Sequence, residues 1–286
     1  MKSKCIYGMA IIAVLSFGLA LARENTSERI EESFRFANPQ AENLLVVDNV
    51  WGDIVVTGCD GQEVHIKAVK SVSARSNDAR EEIDKEVYLD IDREDDRLEL
   101  YVDGPFRDEE GRSRRRGRRW SRHYEVRYDF DIQVPRGTYI KLNTVNDGEI
   151  RVRDVAGDYD IHNVNGGIEM EKIGGSGEVY TVNGDVNIDF VKNPMKNSRF
   201  GSLNGEVRLY FLPSLSADFY LKTFNGEIYS DFPVSYLPLK TESRSEKKRS
   251  GYVYKVNRQT AVRAGEGGPE IKLDGFNWDV FILEKK

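Results

Sequence analysis

From residue 138 to 232, apolar and polar positions alternate in short runs that restart at nearly even intervals. Ile150 and Val152, Ile168 and Met170, Val186 and Ile188, and Val207 and Leu209 each carry the period-two signature of a strand with one buried face. The leading aliphatics, with Ile228 as a fifth, recur at steps of 18, 18, 21 and 21 residues. Each run follows an Asn/Gly turn, at Asn146 and Gly148, Asn165-Gly166, Asn183-Gly184, Asn204-Gly205 and Asn225-Gly226. Asn tolerates a left-handed backbone and Gly adopts positive φ without steric cost, so these pairs turn a chain sharply.

Two further sets of apolar residues keep the same register. Val155, Ile173, Val191 and Leu212 each lie five residues after a leading aliphatic; Ile161, Val179, Phe200 and Leu221 each lie seven before the next. The three extra residues of the longer units fall in corners, around Asn193-Pro194-Met195-Lys196 and Pro213-Ser214. A period near 20 with this internal phasing is the mark of stacked supersecondary units. It predicts an all-β chain whose core is a single-stranded β-solenoid, parallel β-helix-like, of about four to five coils stacked at roughly 4.8 Å. A meander of tandem Asn-Gly hairpins is the rival. The two differ at Ile150, Ile168 and Val186, which lie on strands running the same way only in the coiled arrangement.

Ahead of the coils, residues 23–43 read as a polar, helix-compatible lead-in. The turn and strand of Asn49-Val50-Trp51-Gly52-Asp53-Ile54 repeat the coil pattern once, about ninety residues early, and predict a segment that caps or joins the coils. Strands follow at Val64–Val72, Val87–Asp92, Arg97–Val102 and Tyr124–Val134, with a short helix over Ala74–Lys85. Residues 44–137 therefore read as a mostly antiparallel β region and 233–286 as a closing segment. In the latter, Lys240–Ser250 reads as a loop, Gly251–Val262 and Ile271–Leu283 as strands, and Trp278 as the cover of the open core.

The amino terminus places the chain. Lys2 and Lys4 precede an apolar run from Ile6 to Leu21 that ends in Ala20-Leu21-Ala22, the pattern of a secretory signal peptide over residues 1–22. Cys5 lies before that run, not after it, and is not placed as a lipoprotein acceptor. No later stretch is apolar for long enough to span a membrane. Cleavage removes two of the 42 basic residues and leaves 40 against 48 acidic ones. Cys59 is then the lone cysteine, so no intramolecular disulfide forms. The expected destination is the periplasm or the cell surface.

One segment breaks the acidic character. Arg112, Arg114, Arg115, Arg116, Arg118, Arg119 and Arg122, with Trp120 among them, form a loop of like charges at 112–122. It reads either as a solvated loop balanced by Asp108-Glu109-Glu110 or as a contact for anionic glycan or envelope polymer, where Arg makes bidentate contacts and Trp120 stacks. Export argues against nucleic acid. Glu149, Gly167, Asp185, Glu206 and Glu227 would stack into an outward acidic column, either a Ca²⁺ surface or a solvated face neutralised by Arg151 and Arg208 in the next column. Catalytic signals are weak. His65, His123 and His162 have no metal-ligand spacing, and neither a G-x-S-x-G nor a phosphate-binding loop occurs. No catalytic residue, cofactor or metal is assigned.

The Asn-Gly-(Asp/Glu)-(Ile/Val) turns, preceded by Asp129-Phe130-Asp131-Ile132-Gln133-Val134-Pro135-Arg136-Gly137 and by the early turn at Asn49–Ile54, resemble the bacterial putative adhesin family. The resemblance spans roughly residues 44–230. It implies a secreted or membrane-attached β-solenoid of largely unknown function and supplies no catalytic residues; the arginine loop departs from its pattern. The expected function is non-enzymatic, adhesin-like binding of glycan, envelope polymer or an envelope protein. A polysaccharide-active enzyme on the same scaffold and a structural module of an envelope-stress system are the alternatives.

Overall fold

The computed structural model describes residues 26–39, 41–74, 77–107, 124–222, 225–238, 244–248, 251–255 and 260–286. The signal-peptide reading (1–22), the arginine loop (112–122) and His123 lie outside the described residues.

The amino-terminal part comprises β1 (Thr26–Arg35), β2 (Leu44–Asp48), β3 (Ile54–Cys59), β4 (Glu63–Ala74), helix α1 (Asn77–Glu86), β5 (Tyr88–Arg93), β6 (Arg97–Asp103) and β7 (Tyr124–Pro135). The repetitive part comprises β8 (Tyr139–Thr144), β9 (Ile150–Arg153), β10 (Tyr159–Asn165), β11 (Ile168–Ile173), β12 (Gly177–Asn183), β13 (Val186–Phe190), β14 (Ser198–Asn204), β15 (Val207–Phe211), β16 (Ala217–Lys222) and β17 (Ile228–Ser230). The closing part comprises β18 (Val234–Tyr236), β19 (Arg244–Lys248), β20 (Gly251–Lys255), β21 (Thr260–Ala264), β22 (Glu270–Asn277) and β23 (Val280–Glu284).

From β8 to β18 the chain alternates between two mixed, mostly parallel sheets, to which β21, β22 and β23 return after β19 and β20 have formed a separate two-stranded sheet. One has the order β1-β4-β7-β3-β9-β11-β13-β15-β23-β17; the other runs β18-β21-β16-β22-β14-β12-β10-β8-β2-β6-β5. Ile150, Ile168 and Val186 pair with one another on parallel strands, which excludes the hairpin meander for this stretch. The early turn joins the same sheet, since Ile54 pairs in parallel with Ile150. Inward rows such as Ile54, Ile150, Ile168, Val186, Val207 and Val280 are fully buried and run unbroken along one continuous core.

The structure corrects several expectations. The strand order departs from chain order at both ends. Val280, not Ile228, pairs with Val207, and Ile228 pairs with Val280 on its far side. The last strands β22 and β23 are thus inserted beneath the outer pair β16 and β17. At the other end β2 and β3 are inserted beneath β6 and β7. The region 44–137 is accordingly mixed rather than mostly antiparallel: β2 and β3 have parallel neighbours on both sides, and only β4 with β7, β1 with β4, and β5 with β6 are antiparallel. Trp278, 4% exposed, belongs to an internal rung and does not close an end.

The polar lead-in forms a ten-residue strand, because Ile30 and Phe34 face the core while the charges between them face out. In the second aliphatic set Val155 and Ile173 are buried as expected, but Val191 is 49% exposed and Leu212 only half-buried. Phe190 and Phe211 fill the core there by continuing the alternation of β13 and β15, and it is Ile173 that a register shift after Met170 turns inward to pair with Phe190. Part of the expected loop at Lys240–Ser250 is strand, β19 pairing antiparallel with β20. Helix α1 starts three residues later than expected and buries Ile83 in the core beside β4.

Candidate functional site

The Asn/Gly turns stack into columns. Asn165 donates its side-chain amide to Oδ1 of Asn146 at 3.2 Å, Asn183 to Asn165 at 2.9 Å, and Asn204 to Asn183 at 3.0 Å. Asn277 then donates to Asn204 at 3.2 Å and Asn225 to Asn277 at 2.9 Å. All five predicted Asn residues are therefore brought together, with Asn277 interposed. Asn277 was missed because no Gly follows it; the signal was the Asn-x-Asp-Val spacing at 277–280.

The glycines answer to stacking more than to turning. A Cβ on Gly148 would sit 1.9 Å from the carbonyl oxygen of Gly52, and one on Gly205 would sit 2.0 Å from that of Gly184. Gly166, Gly184 and Gly226 occupy the same column. Of these, Gly184, Gly205 and Gly226 have positive φ, whereas at the first turn it is Asp147 that does (φ 49°).

Under the turns lies a buried polar column that sequence reasoning did not single out. Thr144, Asn163, Thr181 and Ser202 each donate to a glycine carbonyl of the preceding turn, Gly52, Gly148, Gly166 and Gly184, at 3.2, 2.8, 2.8 and 2.8 Å. Each stands two residues before its ladder Asn, in the pattern (Thr/Asn/Ser)-x-Asn. Buried carbonyls need such partners.

The outward acidic column is assembled and in part neutralised. Asp53, Asp185 and Asp279 accept the backbone N–H of Glu149, Glu206 and Glu227 at 2.8 Å each. Glu149 and Glu206 pair with Arg151 and Arg208. Among the described residues no cluster of His, Cys, Asp or Glu is arranged to hold a metal ion. Farther along this face Arg208 lies 5.0 Å over the Phe281 ring, which stacks on Tyr229 at 4.9 Å.

The candidate site lies on the opposite sheet. A shallow groove of about 450 Å³ crosses the beginnings of five consecutive strands, lined by Tyr139, Asp160, Glu178, Arg199, Glu270 and Lys272. Its length, four strand spacings, is about 19 Å. Gly177 and Ser198, the small residues of an inward column that elsewhere holds Ile140 and Ile271, also line it. Most of its charges are committed. Arg199 bridges Glu178 at 3.1 Å and Asp274 at 2.8 Å, and Asp160 takes Lys141 at 3.1 Å and His162 at 2.7 Å. Asn197 accepts the backbone N–H of Glu270 at 2.9 Å. Burial, and then the Asp160 carboxylate, hold the Tyr139 phenol above its ordinary value, so it is a hydrogen-bond donor at neutral pH. This is the convergence of acids, arginine and lysine on one face that the sequence did not disclose, because its members come from strands up to 133 residues apart in the chain.

No protein-family model matches the chain, and no curated protein matches it as a relative. Among solved structures it is similar to a putative cell adhesion protein from Clostridium sporogenes, at 13% identity over 90% of this chain and 100% of that one, with a TM-score of 0.45. It is also similar to a putative lipid binding protein from Parabacteroides distasonis, at 10% identity over 90% and 97% of the two chains, with a TM-score of 0.24.

Proposed function

We propose that the chain is an exported, non-enzymatic β-solenoid of the cell envelope that binds an extended glycan, an envelope polymer or an envelope protein along its outer face. The observation that carries this reading is the groove across five in-register strands. A rigid stack presents hydrogen-bonding side chains at a fixed repeat, which suits a linear ligand better than a compact one. The shallow shape and the pairing of most charges within the face favour binding over chemistry, which needs a group poised against a reacting atom. Export rests on the amino-terminal pattern at residues 1–22.

The test is a glycan and envelope-fraction binding screen with the chain lacking residues 1–22, compared with an Arg199→Ala/Lys272→Ala variant. Binding that the variant loses supports the reading; binding retained by the variant removes the groove from it. The coexistence of Lys272, Arg199 and three carboxylates in one groove keeps a polysaccharide-active enzyme as the second reading. Accumulation of shortened products from a uronic-acid polymer would displace the non-enzymatic reading.

A further inference from the structure

The geometry points to a neutral, hydroxyl-rich saccharide chain, not a polyanion, as the ligand of the sheet groove. This rests on the reading of the groove as a binding face and narrows what it binds.

The groove has three carboxylates, Asp160, Glu178 and Glu270, against two cations, Arg199 and Lys272. A polyanion therefore meets a face that is slightly acidic in sum. The strongest cation is already spent, since Arg199 is shared between two carboxylates and a third party would have to displace one of them. These contacts are partly exposed and individually weak, but a polyanion that takes Arg199 from them is left facing the Glu178 and Asp274 carboxylates it has displaced, so its net gain is small.

The groups left over are of both kinds. Among the described residues, the Lys272 ammonium and the Glu270 carboxylate have no side-chain partner, and they stand two residues apart on the same strand, about 7 Å along it. Donors and acceptors in alternation, at modest spacing and without net positive charge, match hydroxyl groups, each of which both donates and accepts. The Tyr139 phenol adds a donor at the far end, on β8, four strand spacings from β22 and its Lys272 with β10, β12 and β14 between them. The line of contacts runs across the strands, so the saccharide lies along the stacking direction.

The experiment measures affinity of the chain lacking residues 1–22 for neutral cello- and N-acetylated chito-oligosaccharides and for alginate and hyaluronate, at low and high salt. The expected result is binding of a neutral oligosaccharide whose affinity barely changes with salt and falls about tenfold or more in Glu270→Gln/Lys272→Ala. The exposed position of Lys272 and an unchanged melting temperature separate this loss from unfolding. Preferential binding of the polyanions with a steep salt dependence overturns this inference while leaving the binding-face reading intact. Binding to no saccharide, neutral or acidic, overturns this inference and also removes saccharides from that reading, which then rests on a non-saccharide polymer or a protein partner.

Discussion

The side-chain amide of Asn277 donates to Oδ1 of Asn204 at 3.2 Å across 73 residues of chain. It marks the point where the carboxy-terminal strand has been threaded into the stack, with β15 on one side and β17 on the other. An interior rung has two neighbours to pair with; an end rung has one and frays first. At the other end of the stack β2 and β3 are held in the same way as interior rungs. Deletion of residues 270–286 is therefore expected to abolish the cooperative folding of the carboxy-terminal half, seen as loss of near-UV circular dichroism and rapid proteolysis after residue 204. Asn204→Ala, which removes one donor and one acceptor from an exposed ladder, should cost only about 1 kcal/mol in denaturant unfolding.

Gly275 and Trp278 are a matched exception. Every other described rung of the polar column has Thr, Asn or Ser where β22 has Gly275, and most turns have Gly where this one has Trp278. A Cβ on Gly275 would sit 2.3 Å from the Trp278 ring, so the missing side chain is what admits the indole. Gly275→Ser is expected to destabilise by about 2–4 kcal/mol through overpacking. Trp278→Gly alone leaves a void and should cost about 3–5 kcal/mol. The double variant restores the ordinary rung, and its loss should be well below the sum of the two. Additive losses in a double-mutant cycle would show that the exchange is not compensatory.

Thr181 supplies the hydroxyl that satisfies the buried Gly166 carbonyl at 2.8 Å. Thr181→Val keeps the shape and strands the carbonyl, at an expected cost of about 1–3 kcal/mol, whereas Thr181→Ser keeps the bond and should lose less. Equal losses in thermal or urea unfolding would refute a hydrogen-bonding role for the column.

What could be read from the chain, and what could not, divides along the same lines. Ile150, Ile168 and Val186 announced their stacking because each repeats the same local chemistry at a fixed interval, and the early turn at Asn49–Ile54 did so as well. Asn277 was hidden because Trp278 broke the turn signature, and its place between Asn204 and Asn225 is a fact of threading, which a periodic sequence does not encode. Val191 and Leu212 failed because β13 and β15 keep strict alternation as far as Phe190 and Phe211, whereas a one-residue irregularity in β11 carries Ile173 inward; equal spacing between units hides a shift that one unit has and the next lacks. The lead-in at Thr26–Arg35 read as polar since an edge strand with one packed face shows only Ile30 and Phe34 to the core. The groove was illegible because Tyr139, Glu178 and Lys272 look like ordinary outward residues until the strands bring their starts together.

Tyr159 offers a test in which a polar group is removed to advantage. Its ring is buried and its hydroxyl finds no hydrogen-bond partner among the described residues. Burial, with a smaller contribution from Asp158, pushes its ionisation far above the ordinary phenol range. A raised folded value means that the stability tied to this group is whole below the ordinary phenol range and is lost as the pH climbs above it. Tyr159→Phe should raise stability at neutral pH by about 1 kcal/mol, by deleting an unsatisfied buried hydroxyl. It should also delay alkaline unfolding. A variant that melts earlier than the parent at both pH values would mean that the hydroxyl is satisfied after all.

The acid side is tested at Asp218, whose two oxygens take Nε and a terminal nitrogen of Arg263 at 2.7 Å each across the β16–β21 pairing. The hydrogen bonds from Arg263 lead the causes that hold the Asp218 carboxyl below its ordinary value; burial opposes them, and the guanidinium charge adds to them. For a carboxyl lowered in the folded state, the unfolded chain takes up its proton first as the pH falls. The contribution is therefore complete above the ordinary carboxylate range, shrinks as the pH drops through it, and vanishes once the folded group protonates as well. Asp218→Asn should melt below the parent at neutral pH and converge with it in acid. A gap in melting temperature that stays constant from neutral to strongly acidic pH would show that the pair contributes packing and not charge. The pair is surface-proximal, so high salt should narrow the neutral-pH gap without closing it, because a bidentate contact retains its geometry when its Coulomb attraction is screened.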